Sequence, residues 1–211
     1  MKKAFCFAIF AFLPIIVFAQ IKAVTDTGDQ VVLYKNGTWK YVSGSSISAV
    51  KISKNSKKFL KPETSTFLIK SQKTNAGVWI NPKKWSFKKA VANAAAEFEF
   101  QLRGEDLCGM LIAEKTPIDI ESLVNIAYQN AKNVAPDIEV VHKEYRNVNG
   151  IDVLEMQMKG TVQSIKFTYY GYYYSNSHGS FQLLTYTTQD QFKHFLNDSE
   201  NFLNGFVIMN E

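Results

Sequence analysis

The chain has 211 residues, with 24 basic and 19 acidic side chains, a net charge of +5 and two cysteines. That length is enough for one good-sized domain with an appendage. The basic excess sits at the front, where residues 20–66 carry eight lysines against three acids while residues 67–211 carry 14 basic and 16 acidic residues, so the composition excludes a basic main domain. No aromatic residues interleave with the lysines of residues 51–58, which excludes base stacking of the kind used by single-strand nucleic-acid binders.

At the N-terminus, Lys2 and Lys3 precede the apolar run AFCFAIFAFLPIIVFA, and Val17 and Ala19 occupy the −3 and −1 positions of a cleavage site before Gln20. This pattern predicts a secretory signal peptide over residues 1–19 and a periplasmic or extracellular mature chain. The run is shorter than the roughly 20 residues needed to span a bilayer, Pro14 interrupts it, and no transmembrane segment is expected in the mature chain. Cys6 lies inside the run and leaves with it, so Cys108 stands alone and an intramolecular disulfide is excluded. Leu107, Met110, Leu111 and Ile112 surround Cys108, the setting of a small buried hydrophobe.

Residues 20–43 hold two short β-rich runs with turn signals at Thr27-Gly28 and Asn36-Gly37, which predict a small β-hairpin or meander. This segment, over residues 21–42, resembles a short module found at the front of secreted bacterial proteins; the resemblance implies no activity. The triplet Asp26-Thr27-Gly28 matches the aspartic-protease signature but has no second copy, and a single carboxylate cannot share a proton with a partner. It reads as a turn. Residues 44–66, with five lysines, many serines and few large apolar side chains, read as a solvated linker able to make weak contact with anionic surfaces.

From residue 67 the expected domain is α+β. GVWINP predicts a strand, Trp85 a core anchor, and AEFEFQL a strand with Phe98, Phe100 and Leu102 on one face, followed by the returning strand LCGMLIAE. Thr116 and Pro117 read as the start of a helix whose Ile120, Leu123, Val124, Ala127, Ala131 and Val134 share a face. DIEVVHKEYRNV and IDVLEMQMK flank Asn149-Gly150, which predicts an antiparallel hairpin. TVQSIKFTYYGYYYS then reads as one long strand, SNSHG as a loop and SFQLLTYT as its return. Thr188 and Gln191 read as a capping box, with Phe192, Phe195, Leu196, Phe202, Leu203 and Phe206 on one face of a last helix stopped by Gly205.

These elements add up to an α/β/α sandwich on a mostly antiparallel central sheet, preceded by a small β-hairpin and a linker. Their order, with Trp85 near the start, the Thr-Pro helix opening, the Asn-Gly hairpin, the aromatic strand and the amphipathic last helix, resembles the PsbP family. That family's fold is shared by a Ran-binding nucleotide-release factor, and the resemblance covers about residues 67–208. It implies a noncatalytic, extracytoplasmic binding or assembly module and transfers no functional residue.

The sequence offers no catalytic constellation. His142, His178 and His194 form no metal-ligand spacing, and neither a nucleophile elbow nor a phosphate loop is present. No catalytic residue, metal or cofactor is therefore expected. In FTYYGYYYSNSHGSFQLLTYT, alternation divides Tyr169 and Tyr173 from Tyr170, Tyr172 and Tyr174, with Gly171 marking a bulge or a close approach. Tyr170, Tyr172, Tyr174 and His178 are the candidate ligand- or partner-binding residues, because aromatic rings and hairpin tips are common contact groups. The expected partner is an envelope protein or a glycan, with no nucleic acid. The alternative functions are a small-ligand or glycan binder and a hydrolase using His178.

Overall fold

The computed structural model describes residues 21–25, 30–34, 39–41, 50–91 and 93–209. The predicted signal peptide, the Asp26-Thr27-Gly28 triplet and the turn signals at Thr27-Gly28 and Asn36-Gly37 lie outside them. Strands β1 (Ile21–Val24), β2 (Gln30–Leu33) and β3 (Trp39–Tyr41) form an antiparallel meander of their own.

The main body is built on an eight-stranded sheet. Its strands are β4 (Ser53–Phe59), β7 (Trp85–Lys89), β8 (Ala96–Leu102), β9 (Cys108–Glu114), β10 (Glu139–Val148), β11 (Ile151–Val162), β12 (Ile165–Asn176) and β13 (Gly179–Thr188). They lie in the order β4-β10-β11-β12-β13-β9-β8-β7, antiparallel throughout except that β4 runs parallel to β10. A second sheet of three strands is made by β5 (Phe67–Lys70), β6 (Ala76–Ile80) and β14 (Phe206–Ile208).

Helix α1 (Ile120–Val134) covers one face of the large sheet, packing Leu123, Val124, Ala127 and Tyr128 on Leu154, Met156, Met158 and Tyr173. Helix α2 (Phe192–Leu203) and the small sheet cover the other, where Phe195, Phe202, Leu203 and Phe206 meet Phe98, Phe100, Tyr170, Tyr172 and Phe181. Trp85, 3% exposed, is the expected anchor, its ring 4.4 Å from that of Phe202. The alternation of β8 holds, with Phe98, Phe100 and Leu102 buried.

Four expectations are corrected. The segment 44–66, read as linker, supplies β4: its lysines point outward, while Asn55 reaches Glu144 and Phe59 is buried. The cap of α1 is Asp119, which accepts from the backbone N–H of Glu121 (2.9 Å) and Ser122 (3.1 Å), and not Thr116; Ile118 donates its N–H to Ser175 Oγ and is held outside the helix. Thr161 and Val162 end β11, and the turn to β12 is Gln163-Ser164, both at positive φ. The capping box of α2 is absent, since Gln191 is itself the N-cap without a side-chain bond, and Phe206 has left the helix to pair with Val78.

Gly205 follows α2 for a reason of contact, because a Cβ there would lie 2.0 Å from the carbonyl oxygen of Trp79. Gly171 likewise marks a close approach, since its register across to Leu184 is regular and a Cβ would meet Leu184 Cδ2 at 2.2 Å. Among the described residues, no helix is long and apolar enough to cross a membrane.

Candidate functional site

The side chains with the most unusual environment lie on the α2 face of β10, β11 and β12. Strand period two brings His142, Glu144 and Arg146 of β10 to one side, and the register sets Glu144 opposite Glu155 and Glu155 opposite Tyr172. Helix α2 adds Glu200 and Asn204, and β4 adds Asn55 and Phe59.

Arg146, 8% exposed, organises the group. Its Nε donates to Glu144 Oε1 at 2.5 Å, and its Nη1 donates to Tyr170 Oη at 2.7 Å, Tyr172 Oη at 3.3 Å and Glu200 Oε1 at 3.4 Å. Its guanidinium carbon sits 4.6 Å from the ring centre of Phe59. Tyr170 donates to Glu200 Oε1 (3.2 Å), Tyr172 donates to Asn204 Oδ1 (2.8 Å), and Asn55 donates to Glu144 Oε1 (3.1 Å). Burial opposes the charge on Arg146, yet the oxygens of Tyr170, Tyr172 and Glu144 hold its pKa above the ordinary value. Burial also pushes the Tyr170 hydroxyl up, and takes that of Tyr172 to about 12.

Glu155 is fully buried. Its Oε2 meets His142 Nδ1 at 2.7 Å, while its Oε1 is buried without a hydrogen-bond partner. Burial raises its pKa from 4.5 to about 7, against the opposing pull of Arg146 and His142. An orphaned acceptor in a dry site is what favours a protonated carboxyl. The His142 side chain is 45% exposed and its Nε2 lies 3.9 Å from Glu144 Oε2. Glu144 is held below its usual range, since the hydrogen bonds from Asn55 and Arg146 outweigh its partial burial.

Chemically, this arrangement orients an imidazole on a buried carboxyl and leaves its ring partly in solvent. It can hold and exchange a proton. The hydrogen bonds that build it bring in no serine, threonine or cysteine nucleophile, and among the described residues no cluster of three or more His, Cys, Asp or Glu could hold a metal ion.

The four predicted residues do not form one exposed surface. Tyr170 and Tyr172 are 4% and 1% exposed and spend their hydroxyls on the Arg146 network, so neither presents a ring to a glycan; in a sandwich with both faces covered, alternation points an aromatic inward either way. Tyr174 is half-buried, stacked on Phe181 at 5.9 Å. His178 is at the exposed tip of the β12–β13 hairpin, its Nδ1 3.4 Å from Asn75 Nδ2 and Ser177 Oγ. Beside that tip a shallow cleft of about 490 Å³, lined by Pro117, Asp119, Tyr145, Asp152, Tyr174 and Ser175, opens against the first turn of α1.

Sequence reasoning missed Arg146, Glu144 and Glu155. The available signal was His142, Glu144 and Arg146 recurring at period two in a strand whose face should pack, with Glu155 set between apolar neighbours in the partner strand. Cys108, expected to be buried, is half-buried beside Tyr186, and that burial pushes its thiol pKa up.

The wide, mostly antiparallel sheet with one helix on each face is an α/β/α sandwich. Among solved structures, the chain is similar to cyanobacterial PsbP from Synechocystis sp. PCC 6803, at 12% identity and a TM-score of 0.52, covering 70% of this chain and 95% of that one. It also matches LpqN of Mycobacterium tuberculosis, described as involved in cell envelope biogenesis, at 11% identity and a TM-score of 0.38 over 72% of this chain and 82% of that one. A protein of unknown function from Pseudomonas aeruginosa matches at 11% identity and a TM-score of 0.44, over 69% and 98% of the two chains. No protein-family model and no curated protein matches the chain.

Proposed function

We propose that the chain is a noncatalytic extracytoplasmic binding or assembly module whose partner is an envelope protein. The observation that carries this reading is how the ionisable groups are spent. Arg146, Glu144, Glu200, Tyr170 and Tyr172 satisfy one another in the interior, which builds a fixed scaffold and not a reaction centre. The likeness in fold to cyanobacterial PsbP and the leader-like N-terminus support the same reading. A glycan-binding role has less support, because two of its candidate tyrosines are buried.

The test is cross-linking of the purified protein to envelope fractions, with mass spectrometry of the adducts and a panel of chromogenic ester, glycoside and phosphate substrates run in parallel. A reproducible saturable partner and no turnover are expected. Turnover that disappears in either His142→Ala or His178→Ala would overturn the reading in favour of a hydrolase.

A further inference from the structure

The segment first read as linker carries a cluster of positive charge. Lys51, Lys54, Lys57, Lys58 and Lys61 fall within eleven residues with no acid between them. The structure orders them on and beside β4, the end strand of the large sheet, whose outer edge pairs with no other strand among the described residues. Three lysines elsewhere on the surface meet carboxylates, Lys73 with Glu114 at 3.5 Å, Lys84 with Asp198 at 2.8 Å and Lys88 with Glu99 at 3.1 Å, and the others are scattered. What sets the lysines near β4 apart is that they cluster with no acid among them. Among the described residues, none of the five near β4 has such a partner. Lys57 and Lys61 hold their ammonium groups over the rings of Phe59 (5.3 Å) and Trp79 (5.4 Å), Lys61 Nζ also donates to the carbonyl oxygens of Ser65 (3.0 Å) and Pro62 (3.4 Å), and Leu60 between them is 69% exposed.

We propose that the β4 edge is a contact strip for a membrane surface bearing anionic phospholipid headgroups. Lysines on an edge strand also discourage strand-to-strand aggregation, and one or two would be enough for that. Five clustered lysines that meet no carboxylate among the described residues, in a chain whose residues 67–211 carry net negative charge, call for a polyanion. Lys51, Lys54 and Lys58 are exposed and offer flexible point charges, which suit a laterally mobile array of phosphates better than a shaped site. A folded protein partner would need a pocketed apolar centre, and Leu60 is the only large apolar side chain exposed in this stretch. Single-stranded nucleic acid would need exposed rings to stack on, and Phe59 is buried. Leu60, flanked by Phe59 and Lys61, is placed to dip into the headgroup layer. This goes beyond the assembly-module reading, and it stands or falls on lipid alone.

The experiment is co-sedimentation of the protein with phosphatidylcholine vesicles with and without phosphatidylglycerol, at low and high salt. Binding is expected only to the anionic vesicles and should weaken with salt. One lysine near such a surface contributes on the order of five-fold in affinity, so Lys54→Glu with Lys58→Glu should reduce binding by about 25-fold or more. Both side chains are exposed, and an unchanged circular dichroism spectrum and melting temperature would verify the fold. Lys89→Glu with Lys115→Glu changes the net charge equally at exposed positions, one on β7 and one just after β9, at the far side of the sheet from β4, and should leave binding nearly intact. Equal loss in both double variants, equal binding to neutral vesicles, or binding to a soluble polyanion without binding to vesicles would each overturn the proposal.

Discussion

Replacing Glu155 with Gln should remove a pH dependence of stability confined to the range between about 4.5 and 7. The folded protein holds this carboxyl at about 7 against an ordinary value of 4.5, with burial as the main cause. Because the folded pKa lies above the unfolded one, the folded state keeps a proton that the unfolded chain gives up between those limits. The contribution of Glu155 to stability is therefore greatest below about 4.5, declines as pH rises, and levels off above about 7. At about 1.4 kcal/mol per pKa unit, the loss across the window is about 3 kcal/mol. The groups that face Glu155 are His142, Glu144 and Arg146 of β10, Tyr170 and Tyr172 of β12, and Glu200 on α2 beyond them. Glu144 works in a different window: its folded pKa is depressed, so its contribution is present above 4.5 and lost as pH falls through the folded value.

The assay is urea denaturation at a series of pH values from about 4 to 8.5, followed by intrinsic fluorescence. Glutamine keeps an acceptor for His142 Nδ1 and never ionises, so the variant should match the parent near pH 4.5 and exceed it by up to about 3 kcal/mol above pH 7. Parallel curves for parent and variant across that window would refute the reasoning, because Glu155 would then ionise at no cost.

Two further outcomes follow from the same geometry. Arg146→Ala strands Glu144 and the hydroxyls of Tyr170 and Tyr172 without their common donor, and should cost about 3 kcal/mol or more, read as a lowered urea midpoint. Gly179→Ala places a methyl at φ +145°, with its carbon 2.0 Å from the carbonyl oxygen of Glu114, and should destabilise the protein by more than about 1 kcal/mol, with hydrogen exchange accelerated at the β9–β13 pairing.

What the sequence made legible depended on whether a residue's local preference agreed with its place. Asn149-Gly150 announces a turn because both residues accept positive φ readily, and they adopt 50° and 85°. Gln163 and Ser164 turn the chain with φ of 49° and 68° although neither favours it, since the pairing of β11 with β12 holds them there, so the break was invisible in TVQSIKF. Phe206 continues the helical spacing of Phe202 and Leu203 while belonging to β14, because only the partner strand β6 distinguishes the two readings. The site was half legible. The tyrosine faces followed from alternation, but which face carried an arginine depended on the register of β10, β11 and β12 through two turns, one of which the sequence concealed.

Strand β4 shows why lysine content misled. Of the seven residues in SKNSKKF, Phe59 alone is buried, because an edge strand with one half-open face needs little apolar surface. Its two inward side chains nevertheless do a specific job. Asn55 donates to Glu144 while Phe59 lies against the guanidinium of Arg146, so this strand closes the buried network on the side that α2 leaves uncovered. The same seven residues therefore face two environments, sealing a charge inside the sandwich and displaying unpaired charge outside it. Composition counts the side chains of both faces alike, and six of these seven are not buried, so a structural edge resembled a tether.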